Sequence, residues 1–227
     1  MESWKVSVTS EPSGSFKMKR LVCLSVAIYG ILFFSSGAGM NVPDNANDIE
    51  PLTVGQSAPE FTVYKTDGQP YLFDPESLEK PVALITYRGG WCPYCNLHLN
   101  ELRDAEPRLL EMGFEVIFLS TDRPEILYTS LSKETSDINY TLLSDSKMDA
   151  SKALGIAFHI DESDYERMKS HGIDLEKSTG ETHHLLPVPA VFIVNTRGMI
   201  QFAYTNADYR VRLEAEPVLT AAQSILD

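Results

Sequence analysis

Apolar and polar residues change rhythm along this chain in a way that orders its elements. Phe61 to Tyr64 and Tyr71 to Phe73 are two short apolar segments flanking Asp67-Gly68. Such a dipeptide favours the turn that joins antiparallel strands, so a hairpin is expected. Val82 to Tyr87 is a nearly unbroken apolar run, as in a strand covered on both faces. A helix is expected to open at Pro93, since proline is tolerated in a first turn. Cys95, Leu99, Leu102, Ala105 and Leu109 then recur at helical spacing. Pro107 falls inside that pattern, so a kink or break is expected near Glu106.

Val116 to Leu119 predicts a second buried strand, running into Ser120-Thr121-Asp122. A helix over Pro124 to Lys133, a strand over Tyr140 to Leu143 and a helix over Met148 to Leu154, stopped at Gly155, follow in order. Residues 157–184 turn polar and charged with weak periodicity and read as a surface insertion. Ala190 to Val194 and Met199 to Tyr204 bracket Asn195-Thr196-Arg197-Gly198 as a second hairpin, and Pro217 to Leu226 closes as a helix. Alternating strands and helices followed by a hairpin describe an α/β fold, a central mixed sheet flanked by helices.

The first residues follow another rule. Lys19-Arg20 precede an uncharged apolar stretch from Leu21 to Phe34, and Ser36-Gly37-Ala38 follows. A basic start, a short apolar middle and a small-residue end read as a secretory signal over residues 18–38, cleaved near Ala38. Residues 1–17 then form an upstream extension or reflect a start codon misplaced from Met18. An uncleaved anchor is the alternative, because the run is only slightly short for a membrane span. Residues 39–50, with Pro43 and several acids, read as a linker, leaving 51–227 as one domain. Export to a periplasmic or other extracytoplasmic space is expected, with the membrane touched only through that segment.

Charge narrows the partners. The chain carries 19 basic and 32 acidic residues, a net of -13. Unspecific binding to nucleic acid or to anionic lipid is disfavoured by repulsion. Three cysteines are too few for a disulfide-stapled scaffold, and beyond residue 38 only Cys92 and Cys95 remain. Two cysteines a helical turn apart, in a chain expected to be exported, point to a working pair.

Trp91-Cys92-Pro93-Tyr94-Cys95 sits between the buried run and the expected helix. Only a thiolate is a nucleophile, and unpaired N–H groups at a helix start stabilise an anion. Cysteines so placed have pKa values of roughly 3.5–7.5 instead of about 8.5. Cys92 is therefore expected to attack, and Cys95, one turn inside, to resolve the adduct as a Cys92–Cys95 disulfide. Arg88 can add positive charge if it folds back over the site, and Trp91 can shield the sulfurs from water. Arg212 and His98 are read as solvated, and Ser144-Asp145 as a helix-cap signal. A structural zinc would need two further ligands, which no second cysteine pair supplies.

Four segments resemble the thioredoxin-like superfamily, most closely its peroxiredoxin-like branch of alkyl hydroperoxide reductases and thiol-specific antioxidants. They are Gly55 to Phe61, Tyr87 to Cys95, Ser120 to Asp122, and Val188 to Val194. The resemblance implies a thioredoxin-like fold with an N-terminal hairpin extension. It also implies a thiol-dependent oxidoreductase acting on hydroperoxides or protein disulfides, with a thioredoxin-like electron donor and no cofactor beyond its cysteines. Pro189 takes the place of the superfamily's cis-proline, which would leave the Val188 backbone free to pair with a substrate strand. Departures accompany the likeness. Gly89 and Ile85 stand where peroxiredoxins carry Thr or Ser and Pro, Thr86 stands where thioredoxins carry a buried acid, and Pro93-Tyr94 is similar to glutaredoxins. A copper-delivery protein of the same fold is the alternative, using Cys92, Cys95 and His183 or His184, since thiolate and imidazole suit copper.

Overall fold

The computed structural model describes residues 41–95, 102, 105–127, 140–211 and 213–226. The expected hairpin forms from β1 (Phe61–Tyr64) and β2 (Pro70–Phe73), in antiparallel register from Phe61↔Phe73 to Tyr64↔Pro70. Gly68 takes φ +81° in its turn. The apolar run becomes β3 (Val82–Tyr87), buried at every position. Residues 93–95 are helical, Leu102 is helical, and a new helix, α1 (Glu106–Glu111), starts with Pro107 in its first turn. The break is thus where the proline's missing N–H costs least.

β4 (Glu115–Ser120) follows, then a 3-10 turn over Pro124–Ile126. Of the helix expected over 124–133, residues 128–133 lie outside the described residues, as do His98, Leu99 and Arg212. β5 (Thr141–Ser144), α2 (Asp149–Ala153) and β6 (Ala157–His159) come next, then α3 (Glu162–Ser170) and α4 (Leu175–Thr179). β7 (Leu185–Pro187), β8 (Ala190–Val194), β9 (Ile200–Thr205) and α5 (Ala215–Leu226) complete the chain.

Seven strands form one mixed sheet in the order β2-β1-β5-β4-β3-β8-β9. β4 lies at its centre, and β3 beside it runs parallel to β4 and antiparallel to β8. Alternate residues of these strands face opposite sides, as strand geometry requires. Ala83, Ile85, Tyr87, Val116 and Phe118 face α1 and α5, and both cysteines join that cluster. Leu84, Ile117, Leu119 and Phe192 face the other side, with Ala150 and Leu154 from the α2 region. The fold is the thioredoxin-like α/β sandwich read from the sequence.

Two stretches differ from expectation. Residues 157–184 are a folded unit. β6 pairs with β7, α3 and α4 fill the intervening chain, and Tyr165, Leu175 and Leu186 form a small core of their own. Periodicity was weak because each element is short and only one or two of its residues are buried. Asp161 caps α3 by accepting from Asp164 N, and Asp174 caps α4 by accepting from Lys177 N. The described part of the expected linker, 41–50, lies along the domain. His159 N donates to Pro43 O at 2.8 Å, and Ala46 and Ile49 pack on the second core cluster.

Candidate active site

The strand-to-helix turn after β3 is assembled by backbone hydrogen bonds. Cys92 N donates to Gly89 O at 3.1 Å and Cys95 N to Cys92 O at 3.0 Å. The same Cys95 N–H lies 3.4 Å from Cys92 Sγ, so an amide dipole points at that sulfur. Cys95 Sγ is 2.6 Å from Cys92 Sγ, so the two sulfurs are within reach of each other. Both are nearly inaccessible, at 3% for Cys92 and 1% for Cys95. Its hydrogen bond with Cys92, and then burial, push the Cys95 thiol well above the usual range, against the opposing pull of Arg88. A thiol that holds its proton so firmly fits the resolving role better than the attacking one.

Gly89 shows why the turn contains no larger residue. Its φ is +136°, and a Cβ there would clash with Trp91 Nε1 and lie 3.0 Å from Asp122 Oδ1. The Trp91 indole fills the space beside Gly89 where a threonine side chain would otherwise project. Trp91 then bridges the core on the cysteine side and the small core of the 157–184 unit.

The end of β4 holds this turn from beneath. The buried Asp122 carboxylate accepts from Gly90 N at 2.7 Å and from Ser120 Oγ at 3.1 Å. Thr121 Oγ1 donates to Arg88 O at 2.5 Å. Sequence reading took Ser120-Thr121-Asp122 only as a strand end. The signal for more was present, because β3 and β4 run parallel and their C-terminal ends must emerge side by side.

Arg88 is also buried, and its guanidinium carbon sits 4.5 Å from the centre of the Tyr209 ring. Arg88, Trp91, Cys92, Pro93 and Tyr94 form one side of a cleft of about 370 Å³. Phe158, Ile160, Met168 and Ile173 form its apolar far wall, with Arg167 and His171 also lining it. That wall comes entirely from the 157–184 unit, which sequence reading left without a role.

Pro189 is buried between β7 and β8, and Ala190 N donates to Thr86 Oγ1 at 3.0 Å. Thr86, standing where thioredoxins carry an acid, thus ties β3 to the start of β8. The Val188 backbone is not the open edge expected of it. Its N–H donates to Ile156 O at 3.0 Å, its carbonyl accepts from Thr86 Oγ1 at 3.4 Å, and the residue is 1% exposed. The chain leading into β6 has taken the pairing that a substrate strand would use.

His183 and His184 are absent from the cleft lining. His183 Nδ1 accepts from Leu185 N and its Nε2 bonds Ser146 O at 2.8 Å, while burial lowers its pKa. His184 stacks on Tyr165 at 3.9 Å and bonds Glu176 at 2.9 Å. Both imidazoles brace the 157–184 unit, and among the described residues no group of three His, Cys, Asp or Glu is placed to hold a metal. Copper held by the two sulfurs and an imidazole does not fit this arrangement, because neither histidine lines the cleft that Cys92 borders.

Asp145 does what its sequence context predicts. Its carboxylate accepts from Ala150 N and Ser151 N at 2.9 Å each and from Ser151 Oγ at 2.6 Å.

Comparison with known proteins agrees with this geometry. Peroxiredoxin Bcp of Escherichia coli K12 is 33% identical over 109 residues, which span 48% of this chain and 67% of that one. Thiol-disulfide oxidoreductase ResA of Bacillus cereus is 26% identical over 87 residues, about half (49%) of its length. The crystal structure of peroxidoxin BcpB from Mycobacterium tuberculosis superposes with a TM-score of 0.55 at 18% identity, covering 77% of this chain and 98% of that one, which shows a shared fold. The model of the AhpC/TSA family matches residues 54–203, the whole span from the N-terminal hairpin through β8 and into β9, and the chain belongs to that family.

Proposed function

We propose that the protein is a thiol peroxidase that reduces hydroperoxides through a Cys92/Cys95 dithiol–disulfide cycle. One observation carries this choice within the thiol-dependent oxidoreductases. Cys92 borders a cleft with an apolar far wall, while the Val188 strand edge is already paired. A small organic hydroperoxide can enter such a cleft, whereas an extended polypeptide finds the Val188 backbone already bonded.

The Cys92 thiolate attacks the terminal oxygen of ROOH, forming an S–O bond as the O–O bond breaks, and a proton delivers ROH. The Cys95 sulfur, giving up its proton, then attacks the Cys92 sulfenic acid, forming the S–S bond and releasing water. A dithiol donor of the thioredoxin type returns two electrons by exchange through a mixed disulfide. The likeness to Bcp favours the peroxide step, and that to ResA favours the exchange step. Trp91 and Arg88 line the cleft that Cys92 borders, and no cofactor beyond the two sulfurs is required.

Turnover of an organic hydroperoxide with thioredoxin, its reductase and NADPH tests this. Turnover is expected in the unmodified protein and not in Cys92→Ser. Cys95→Ser should give a single turnover that leaves a sulfenic acid on Cys92. Turnover that survives Cys92→Ser removes the assignment.

Disulfide exchange is the second reading, favoured by the two-residue spacing of the cysteines. Faster reduction of a protein disulfide than of any hydroperoxide selects it. For residues 18–38 we keep the reading of an export signal, supported by Lys19-Arg20, the apolar stretch and Ser36-Gly37-Ala38. N-terminal sequencing of the exported protein, expected to begin just after Ala38, is the check.

A further inference from the structure

Tyr209 lies far from the cysteines in sequence, yet it shares their cleft. The loop that carries it is braced from within. Asp208 N donates to Asn206 Oδ1 at 2.9 Å, Arg210 N donates to Asp208 Oδ1 at 3.0 Å, and the Arg210 guanidinium grips the same carboxylate at 2.8 and 2.9 Å. Val211 N closes the turn onto Asp208 O at 3.0 Å. Tyr209 is thus presented on a tight, self-bonded turn.

Its ring meets two groups of the active-site turn. Tyr94, the second residue between the cysteines, packs edge-on at 5.7 Å between centroids. The Arg88 guanidinium lies over its face at 4.5 Å. A guanidinium prefers an aromatic face because the ring quadrupole attracts it, and the attraction grows as water is excluded. Arg88 is 9% exposed, so most of that water is gone. Replacing the ring removes this contact from a side chain long enough to reach solvent.

We propose that Tyr209 is a positioning residue, whose ring keeps the Arg88 guanidinium in the cleft that Cys92 also lines, so that its charge favours the Cys92 thiolate. This rests on Cys92 being the attacking sulfur. A fixed positive charge near a thiol stabilises the ionised form, and a mobile one in water does so far less. The distant loop therefore tunes the nucleophile without touching it.

The test is the pH dependence of iodoacetamide alkylation at Cys92 in the reduced full-length protein, followed by mass spectrometry of the Cys92 peptide. Tyr209→Leu keeps bulk but removes the ring face. It should slow alkylation at pH 6 by about three- to tenfold, with rates converging above the thiol midpoint. Tyr209→Phe keeps the face and should return the profile of the unmodified protein. Arg88→Leu should shift the midpoint upward as far as Tyr209→Leu or further, and the double variant no further than Arg88→Leu. Far-UV circular dichroism identifies any variant that fails to fold, and Tyr209→Phe then carries the comparison with Arg88→Leu. The proposal is overturned if Tyr209→Leu folds and titrates like the unmodified protein, or if the two single shifts add in full. If Cys92 of the unmodified protein titrates as an ordinary thiol, the reading of the nucleophile fails first and takes this one with it.

Discussion

Asp122 Oδ2 accepts the Gly90 N–H at 2.7 Å, linking the end of one buried strand to the turn that precedes the cysteines. A buried carboxylate with donors on two sides fixes that turn more firmly than its glycines could alone. Asp122→Ala would remove the carboxylate that accepts from the Gly90 N–H and the Ser120 hydroxyl. We expect a loss of about 2–3 kcal/mol in urea unfolding. Asp122→Asn, which keeps one acceptor oxygen, should lose less. Equal losses would mean that the charge itself, not the acceptor, holds the turn.

Gly89 sits at φ +136° with the Trp91 indole against its Cα. Gly89→Ala should cost about 1–3 kcal/mol from backbone strain, with more from the displaced ring. Trp91 should then shift its fluorescence emission to the red as it meets water. An unchanged emission spectrum with unchanged stability would show that the turn relaxes freely.

Asp145 titrates with folding. Burial raises its pKa from 3.8 to about 6. The folded state then holds this proton more tightly than the unfolded state between those values. Its contribution to stability is fully present below about pH 4 and is lost as pH rises through 6. Relative to Asp145→Asn, which does not titrate, the unmodified protein should lose up to about 3 kcal/mol between pH 4 and pH 7. Parallel curves for the two proteins over that range would contradict the buried titration.

Leu175 is 2% exposed within the small core that supports the cleft wall. Leu175→Ala should weaken that core by about 2–5 kcal/mol. The 157–184 unit holds few buried residues, so the effect should appear locally as faster proteolysis inside it. Peroxide turnover should fall as the wall opens, while the global unfolding midpoint moves less. Proteolysis confined to other loops would show that this unit is not independently supported.

Much of the fold was legible because its signals are local. Asp67-Gly68 and Asn195-Gly198 each sit between apolar segments short enough to be strands, and a turn's backbone demands are met by the residues within it. Val82–Tyr87 reads as a central strand because burial on both faces removes alternation altogether. The Cys-Pro-Tyr-Cys spacing is likewise local, since a single helical turn brings the second sulfur under the first.

Asp122, Tyr209 and the 157–184 wall reach the cysteines from distant parts of the chain, and no periodicity records such a meeting. Asp122 arrives because β3 and β4 are parallel neighbours, Tyr209 because β9 returns along β8, and the wall because β6 folds back onto β7. The same folding back closed the Val188 edge, which pattern alone would have left open. Composition and spacing therefore determined the strands, the turns and the sulfur pair, each set by neighbours within a few residues. Only the tertiary structure decided what surrounds the sulfurs, because pairing between distant segments depends on which backbone groups are still unbonded when they meet.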